Sequence, residues 1–293
     1  MVNTDSKQDI VFKIFCYVII LLIAIVTFYP FWDIAMLSIS ERGEALKGGF
    51  RFITKNPTLQ AYRDVLISPE IWNGFKNSLY RVLLGTTLSV FFTTLTAYPL
   101  SKKGMPFNRL ITMLILFTMI FNGGLIPTYL LYKNLGLLNK IWALVLPQAV
   151  TAFNLIIMRN FLTTIPDSLE ESAKIDGASY FKVWYKIIVP LSKPAIATIT
   201  LWISVSHWNQ YFDAMIYMHK RALYTLPVIL RRILIENELD RYMPGAMENV
   251  TVRLTPESTK AAIMMISIVP IVCVYPFIQK YFTKGIMLGA VKG

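Results

Sequence analysis

Between positions 206 and 213 the chain reads Ser206-His-Trp-Asn-Gln-Tyr-Phe-Asp213, which packs two amides, three aromatic rings, an imidazole and a carboxylate into one short stretch. Aromatic rings stack on the C–H faces of a sugar, and amides pair with its hydroxyls. Trp208, Asn209, Tyr211 and Asp213 are therefore the residues that could line a path for a polyhydroxylated ligand. Two other readings stay open for the same residues. Trp208 and Asn209 could fix helix packing by interhelical hydrogen bonds. His207 and Asp213 could act as titratable groups within a membrane, as in a proton-coupled secondary transporter.

A second stretch, residues 163–193, carries chemistry of another kind. Pro166 suits the first turn of a helix, and Asp167, Glu170 and Glu171 sit where its N-terminal dipole favours negative charge. Leu169 and Ala173 give this helix a small apolar face. Gly177 then permits a sharp turn. Phe181, Trp184, Tyr185 and Ile188 follow at helical spacing, with Pro190 and Pro194 expected to stop that second helix. Such an acidic-then-aromatic helix–turn–helix suits docking into a groove of another protein. It equally suits an amphipathic hairpin lying on lipid headgroups.

The elements that must position these residues are long apolar blocks at about 11–37, 75–100, 109–131, 141–162, 194–217 and 260–282. Each is long enough to cross a hydrocarbon core of roughly 30 Å as a helix. None shows the two-residue alternation of a membrane barrel strand. The expected fold is an all-α integral membrane protein of six transmembrane helices, with the helix–turn–helix on one membrane face. The first block is too long for a signal-peptide core. Its organisation is then an N-terminal segment 1–10, a permease domain 11–283 that includes the loop 163–193, and a tail 284–293. Asp33 and Arg81 fall near span ends, where snorkelling would serve them. Six spans put both termini and the 163–193 loop on the same side. The short loop 101–108, with Lys102 and Lys103, favours the cytoplasm for that side.

Composition excludes several classes. The chain has 293 residues, 55% of them hydrophobic and only 16% charged. The formal charge of +12 is spread singly and in pairs between apolar blocks, without a basic run or nucleic-acid motif. Across 38–76 there are six basic against four acidic residues, too slight an excess to choose an acidic ligand. Cys16 and Cys273 each sit in an apolar block and read as buried hydrophobes. No His/Cys/carboxylate spacing suggests a metal, and no catalytic constellation suggests an enzyme. There is no phosphate-binding G-x-x-x-x-G-K-[ST] loop, so any ATP is handled by a partner.

The run Glu171-Ser-Ala-Lys-Ile-Asp-Gly-Ala178, followed by Ile188-Val-Pro-Leu191, resembles the EAA motif of ATP-binding cassette (ABC) importer permeases. That motif reads E-A-A, three residues, G, then about nine residues to I-x-L-P. Ser172 stands where the first alanine is usual, and Val189 where leucine is usual. Further matches to the carbohydrate branch, similar to the maltose-system permeases, are Gly124-Leu-Ile-Pro-Thr-Tyr129, Leu135-Gly-Leu-Leu-Asn139, Leu146-Pro147, Met158-Arg-Asn-Phe161 and the Gly-Ala-Val-Lys-Gly293 ending. The tail and N-terminal loop look most like permeases for complex or acidic oligosaccharides of the aldouronate or alginate type.

The resemblance implies a type I importer permease of the bacterial inner membrane with cytoplasmic termini. Its coupling segment would meet an ATPase through Glu170, Glu171, Ser172, Ala173, Asp176, Gly177, Ala178, Phe181, Trp184 and Pro190. The family's Trp-Asn pair falls on Trp208 and Asn209. The implied partners are a second homologous permease, two ATP-binding subunits that hold ATP and Mg, and an extracytoplasmic solute-binding protein. Transport would proceed by alternating access.

Overall fold

A backbone that crosses hydrocarbon must satisfy its own hydrogen bonds, and the computed structural model of the chain does so with helices. It describes residues 7–41, 51–235 and 256–290. Parts of the expected N-terminal segment, both long loops and the last three residues of the tail lie outside them. The helices are α1 (Lys7–Ser38), α2 (Gln60–Ile67), α3 (Pro69–Leu100), α4 (Asn108–Ile120), α5 (Leu125–Asn134), α6 (Trp142–Gln148, ending in a 3₁₀ turn), α7 (Ala152–Leu162), α8 (Asp167–Ile175), α9 (Tyr180–Leu191), α10 (Lys193–Asn209), α11 (Phe212–Tyr217), α12 (Leu226–Ile235) and α13 (Pro256–Ala290). The described residues contain no strand beyond an isolated bridge between Ser40 and Pro57.

Three helices are individually long and apolar enough to span: α1, α3 and the Glu257–Val274 part of α13. The count reaches six when each of the bent pairs α4/α5, α6/α7 and α9/α10 is taken as one span. The third block is thus not the single helix expected over 109–131. It breaks after Ile120 and turns by 111°. Gly124 takes φ +85, and its N–H donates to the Asn122 side chain at 3.0 Å.

The chain divides into two units, 1–69 with 230–268 and 70–229 with 269–293. In the first, Ser38 and Tyr62 share a hydroxyl hydrogen bond of 2.7 Å, and Ser258 donates to the Ser40 carbonyl at 3.1 Å. Helix α1 leaves Phe12, Phe15, Leu22 and Val26 exposed, which water would penalise and lipid rewards.

In the second unit α3 turns a row of small side chains inward: Ser78, Gly85, Thr86, Ser89, Thr93 and Ala97. Such residues let membrane helices approach closely. Gly85 shows the limit of that approach, since a Cβ there would lie 2.5 Å from the His207 ring on α10. At the other end of α3 a core gathers Tyr98, Leu100, Leu155, Met158, Leu162, Val183, Trp184, Ile188, Ile199 and Ile203. Three of these come from α9, so the 163–193 segment is rooted in the core of this unit and does not rest loosely on it. The Leu100 carbonyl, left open by the end of α3, accepts from Arg159 at 2.8 Å and from Asn108 at 2.9 Å.

Candidate coupling segment and transport pathway

Helix α8 starts at Asp167 with Pro166 at its N-cap, as the residue types require. It ends in a full Schellman motif. The Ala178 N–H returns to the Ala173 carbonyl at 2.9 Å, and the Gly177 N–H to the Lys174 carbonyl at 3.0 Å. Gly177 supplies the left-handed residue with φ +74. Ser179 then caps α9, accepting from the Lys182 N–H at 3.3 Å.

Two expectations for α9 need correction. Pro190 does not stop it. The helix widens into a π turn over Trp184–Ile188 and runs through Pro190 to Leu191, then bends by 81° into α10. A widened turn removes the carbonyl that a proline ring would otherwise strike. Nor do Phe181, Trp184, Tyr185 and Ile188 form one face. Trp184 and Ile188 are buried, while Phe181 and Tyr185 are about 60% exposed.

The acidic residues of α8 also divide. Glu171, Ser172 and Asp176 are exposed, together with Ile175, whose apolar side chain is 87% exposed. Glu170 points the other way and is buried. It pairs with Lys102 of the loop after α3, and with Lys174 at 2.9 Å. Lys102 also reaches Asp167 at 3.4 Å and lies over the Tyr98 ring. Lys102 therefore clamps α8 to the C-terminal end of α3, a contact that a lone loop lysine does not announce in sequence. Asp176, Gly177 and Ala178 form the turn, with Ala173 and Ala178 packed against the core.

Burial pushes the Glu170 carboxyl up, but its contacts with Lys102 and Lys174 outweigh burial and hold it below the usual carboxylate range. A depressed folded pKa contributes stability that is full above the ordinary carboxylate range and is lost as pH falls through the folded value. Protection of the 163–193 segment from protease should thus weaken on acidification below that range. In Glu170→Gln it should start lower and lose this part of its pH slope. An identical slope in both proteins would count against the clamp.

The second candidate site lies where α10 stops at Asn209. Gln210 is extended (φ −74, ψ 118) and α11 begins at Phe212, so the block expected to be continuous over 194–217 is broken. Arg81 of α3 closes the break. Its Nη1 donates to the Gln210 carbonyl at 2.9 Å and to Asp213 Oδ1 at 3.0 Å, while Nη2 pairs with Oδ2. Arg81 has no exposed surface at all, so it does not snorkel at a span end. The Gln148 amide reaches the Gln210 side chain, and Ser89 of α3 donates to the Gln148 carbonyl at 2.7 Å. Trp208 is buried edge-on against Phe75 at 5.7 Å. Asn209 and Tyr211 are exposed. His207 is buried, and its ring nitrogens have no hydrogen-bond partner among the described residues. Of the four pathway residues read from sequence, Trp208 and Asp213 are engaged in packing and an ion pair, and Asn209 and Tyr211 remain outward. No cluster that could hold a metal occurs among the described residues.

Comparison with known proteins gives a consistent picture. Residues 79–288 match the family model described as binding-protein-dependent transport system inner membrane component. The chain is 40% identical over 284 residues to the polygalacturonan/rhamnogalacturonan transport system permease protein YtcP of Bacillus subtilis (strain 168), covering 96% of this chain and 98% of that one. It is 41% identical over 269 residues to protein LplC of the same organism, covering 92% and 90%. Among solved structures it resembles a chain of a bacterial ABC transporter involved in the import of the acidic polysaccharide alginate. That match has a TM-score of 0.89 and 34% identity, and covers 94% of this chain and 98% of that one.

Proposed function

This chain belongs to the family of binding-protein-dependent transport system inner membrane components, and from that premise we propose that it carries an acidic oligosaccharide, delivered by a solute-binding protein and driven by ATPases docked on residues 167–185. It is a permease subunit of a carbohydrate ABC importer in the bacterial inner membrane, and not an enzyme. The proton-coupled alternative receives no support from these relatives.

The observation that carries the docking reading is the geometry of α8. Its outward face presents Glu171, Ser172, Ile175 and Asp176, while its inward face is clamped to α3 and its continuation α9 is rooted in the core. A rigid lever with an exposed tip converts a movement of a docked partner into movement of spans. In this account two ATPase subunits, which hold ATP and Mg, close on each other and push on this tip and on that of a second permease. The pathway then opens outward, and hydrolysis returns it inward. Both termini and the coupling segment face the cytoplasm. Asn209 and Tyr211 face the sugar. The acidic cargo is supported by the likeness to the polygalacturonan/rhamnogalacturonan permease and to the importer of the acidic polysaccharide alginate.

Co-purification from native membranes in mild detergent tests the assembly. An ATPase and a second six-span permease should travel with this chain. Glu171→Lys should weaken retention of the ATPase by roughly tenfold at moderate salt, as loss of a charged interface contact does. Recovery of the chain alone in a preparation that still transports would contradict the proposal.

A further inference from the structure

We infer that Arg81 is a positioning residue for transport: by gripping both sides of the break between α10 and α11, it holds Asn209 and Tyr211 outward to meet the sugar. The inference rests on the reading of Asn209 and Tyr211 as pathway residues. It extends that reading to a side chain which touches no cargo itself.

A fully buried guanidinium within a membrane helix is costly unless every strong interaction is supplied, and such residues are kept where they work. The contacts of Arg81 say where the work is done. None is to a regular helical turn. One goes to the Gln210 carbonyl, on the near side of the gap, and two go to the Asp213 carboxylate, on the far side. At a helix break in hydrocarbon the terminal carbonyls lack partners, and irregular backbone persists only where protein satisfies it or where it lines a cavity. Here a single planar fork satisfies the break and spans it, which a lysine ammonium could not do with the same geometry.

Gln210 is drawn inward, by Arg81 at its carbonyl and by Gln148 at its amide. Asn209, the last residue of α10, and Tyr211, just before α11, are both exposed on either side of it, Tyr211 to 41%. The bond from Ser89 to the Gln148 carbonyl returns the network to α3, so one helix sets both ends of the arrangement. The inference also removes Asp213 from the residues that contact cargo, because both its carboxylate oxygens are taken by Arg81.

The test uses the whole reconstituted transporter with this chain free of native thiols (Cys16→Ser, Cys273→Ser) and a single cysteine at Asn209→Cys. A membrane-impermeant maleimide reports accessibility during turnover with a galacturonate trisaccharide and the binding protein. With Arg81 present, the sugar should slow labelling by about fivefold, as expected for a side chain covered by ligand. In Arg81→Lys this protection should vanish, while labelling of a control Lys220→Cys, exposed after α11, stays unchanged. The pair Arg81→Gln with Asp213→Asn, which leaves no unpaired charge, should behave likewise and is decisive if the lysine variant assembles poorly. Full protection persisting in both variants overturns the positioning role. Absence of protection with Arg81 intact instead overturns the pathway reading of Asn209, and the inference falls with it.

Discussion

Gly177→Val should abolish most ATP-driven uptake while leaving the chain in the membrane. Gly177 sits at φ +74 with no atom within 4 Å of where a Cβ would stand, so the objection to a side chain is conformational and not spatial. A left-handed backbone costs an unbranched L-residue roughly 1–2 kcal/mol, and a β-branched one is a rarer outlier still. The cheapest escape for valine is to abandon the turn. That breaks the bonds from Ala178 to Ala173 and from Gly177 to Lys174, and swings the exposed face of α8 away from its present aim. A lever that no longer points at its partner should lose about tenfold or more in uptake and in stimulated ATPase activity together. Gly177→Asn is the control, because asparagine tolerates this conformation; it should retain most activity. Equal damage from both substitutions would mean that the side chain itself, and not the backbone angle, is what the site rejects.

A second large effect is expected at the buried ion pair. Asp213→Leu, with Arg81 left in place, strands a guanidinium that has no exposed surface. Breaking a buried pair by removing one partner costs about 3–5 kcal/mol. The assembled transporter should fall to a small fraction of its normal level on native gels. Arg81→Leu combined with Asp213→Leu removes both charges and should restore much of that level, since replacing a buried pair by apolar residues is often close to neutral. Transport should not return, because the Gln210 carbonyl would still lack its donor. Restoration of both assembly and uptake by the double change would reduce the pair to packing.

Much of this arrangement was legible in the residues before any coordinates. The apolar blocks announced spans because their length and composition answer to one constraint, the thickness of hydrocarbon. The helix–turn–helix within 163–193 was legible because Pro166, Gly177 and the acidic first turn each have a local backbone reason to stand where they do. What escaped was set by partners distant in sequence. Nothing near Glu170 distinguishes it from Glu171, yet Lys102 draws one inward and leaves the other exposed. Arg81 was read as snorkelling because its partner, Asp213, lies 132 residues away. The breaks at 121–124 and 210–211 escaped for a related reason. Apolar content measures burial in lipid and says little about helical continuity. The two-glycine run before Leu125 was the available signal for the first. For the second the polar run Asn209–Gln210 gave only a hint.

The most direct test of the account is uptake of a galacturonate trisaccharide into proteoliposomes holding this chain, its co-purified permease and ATPase, and the binding protein. The account predicts uptake that requires ATP inside the vesicles, on the coupling-segment side and opposite the binding protein, that is unaffected by collapsing a proton gradient, and that disappears with Gly177→Val. Uptake that persists without ATP, or that follows the proton gradient, would contradict it.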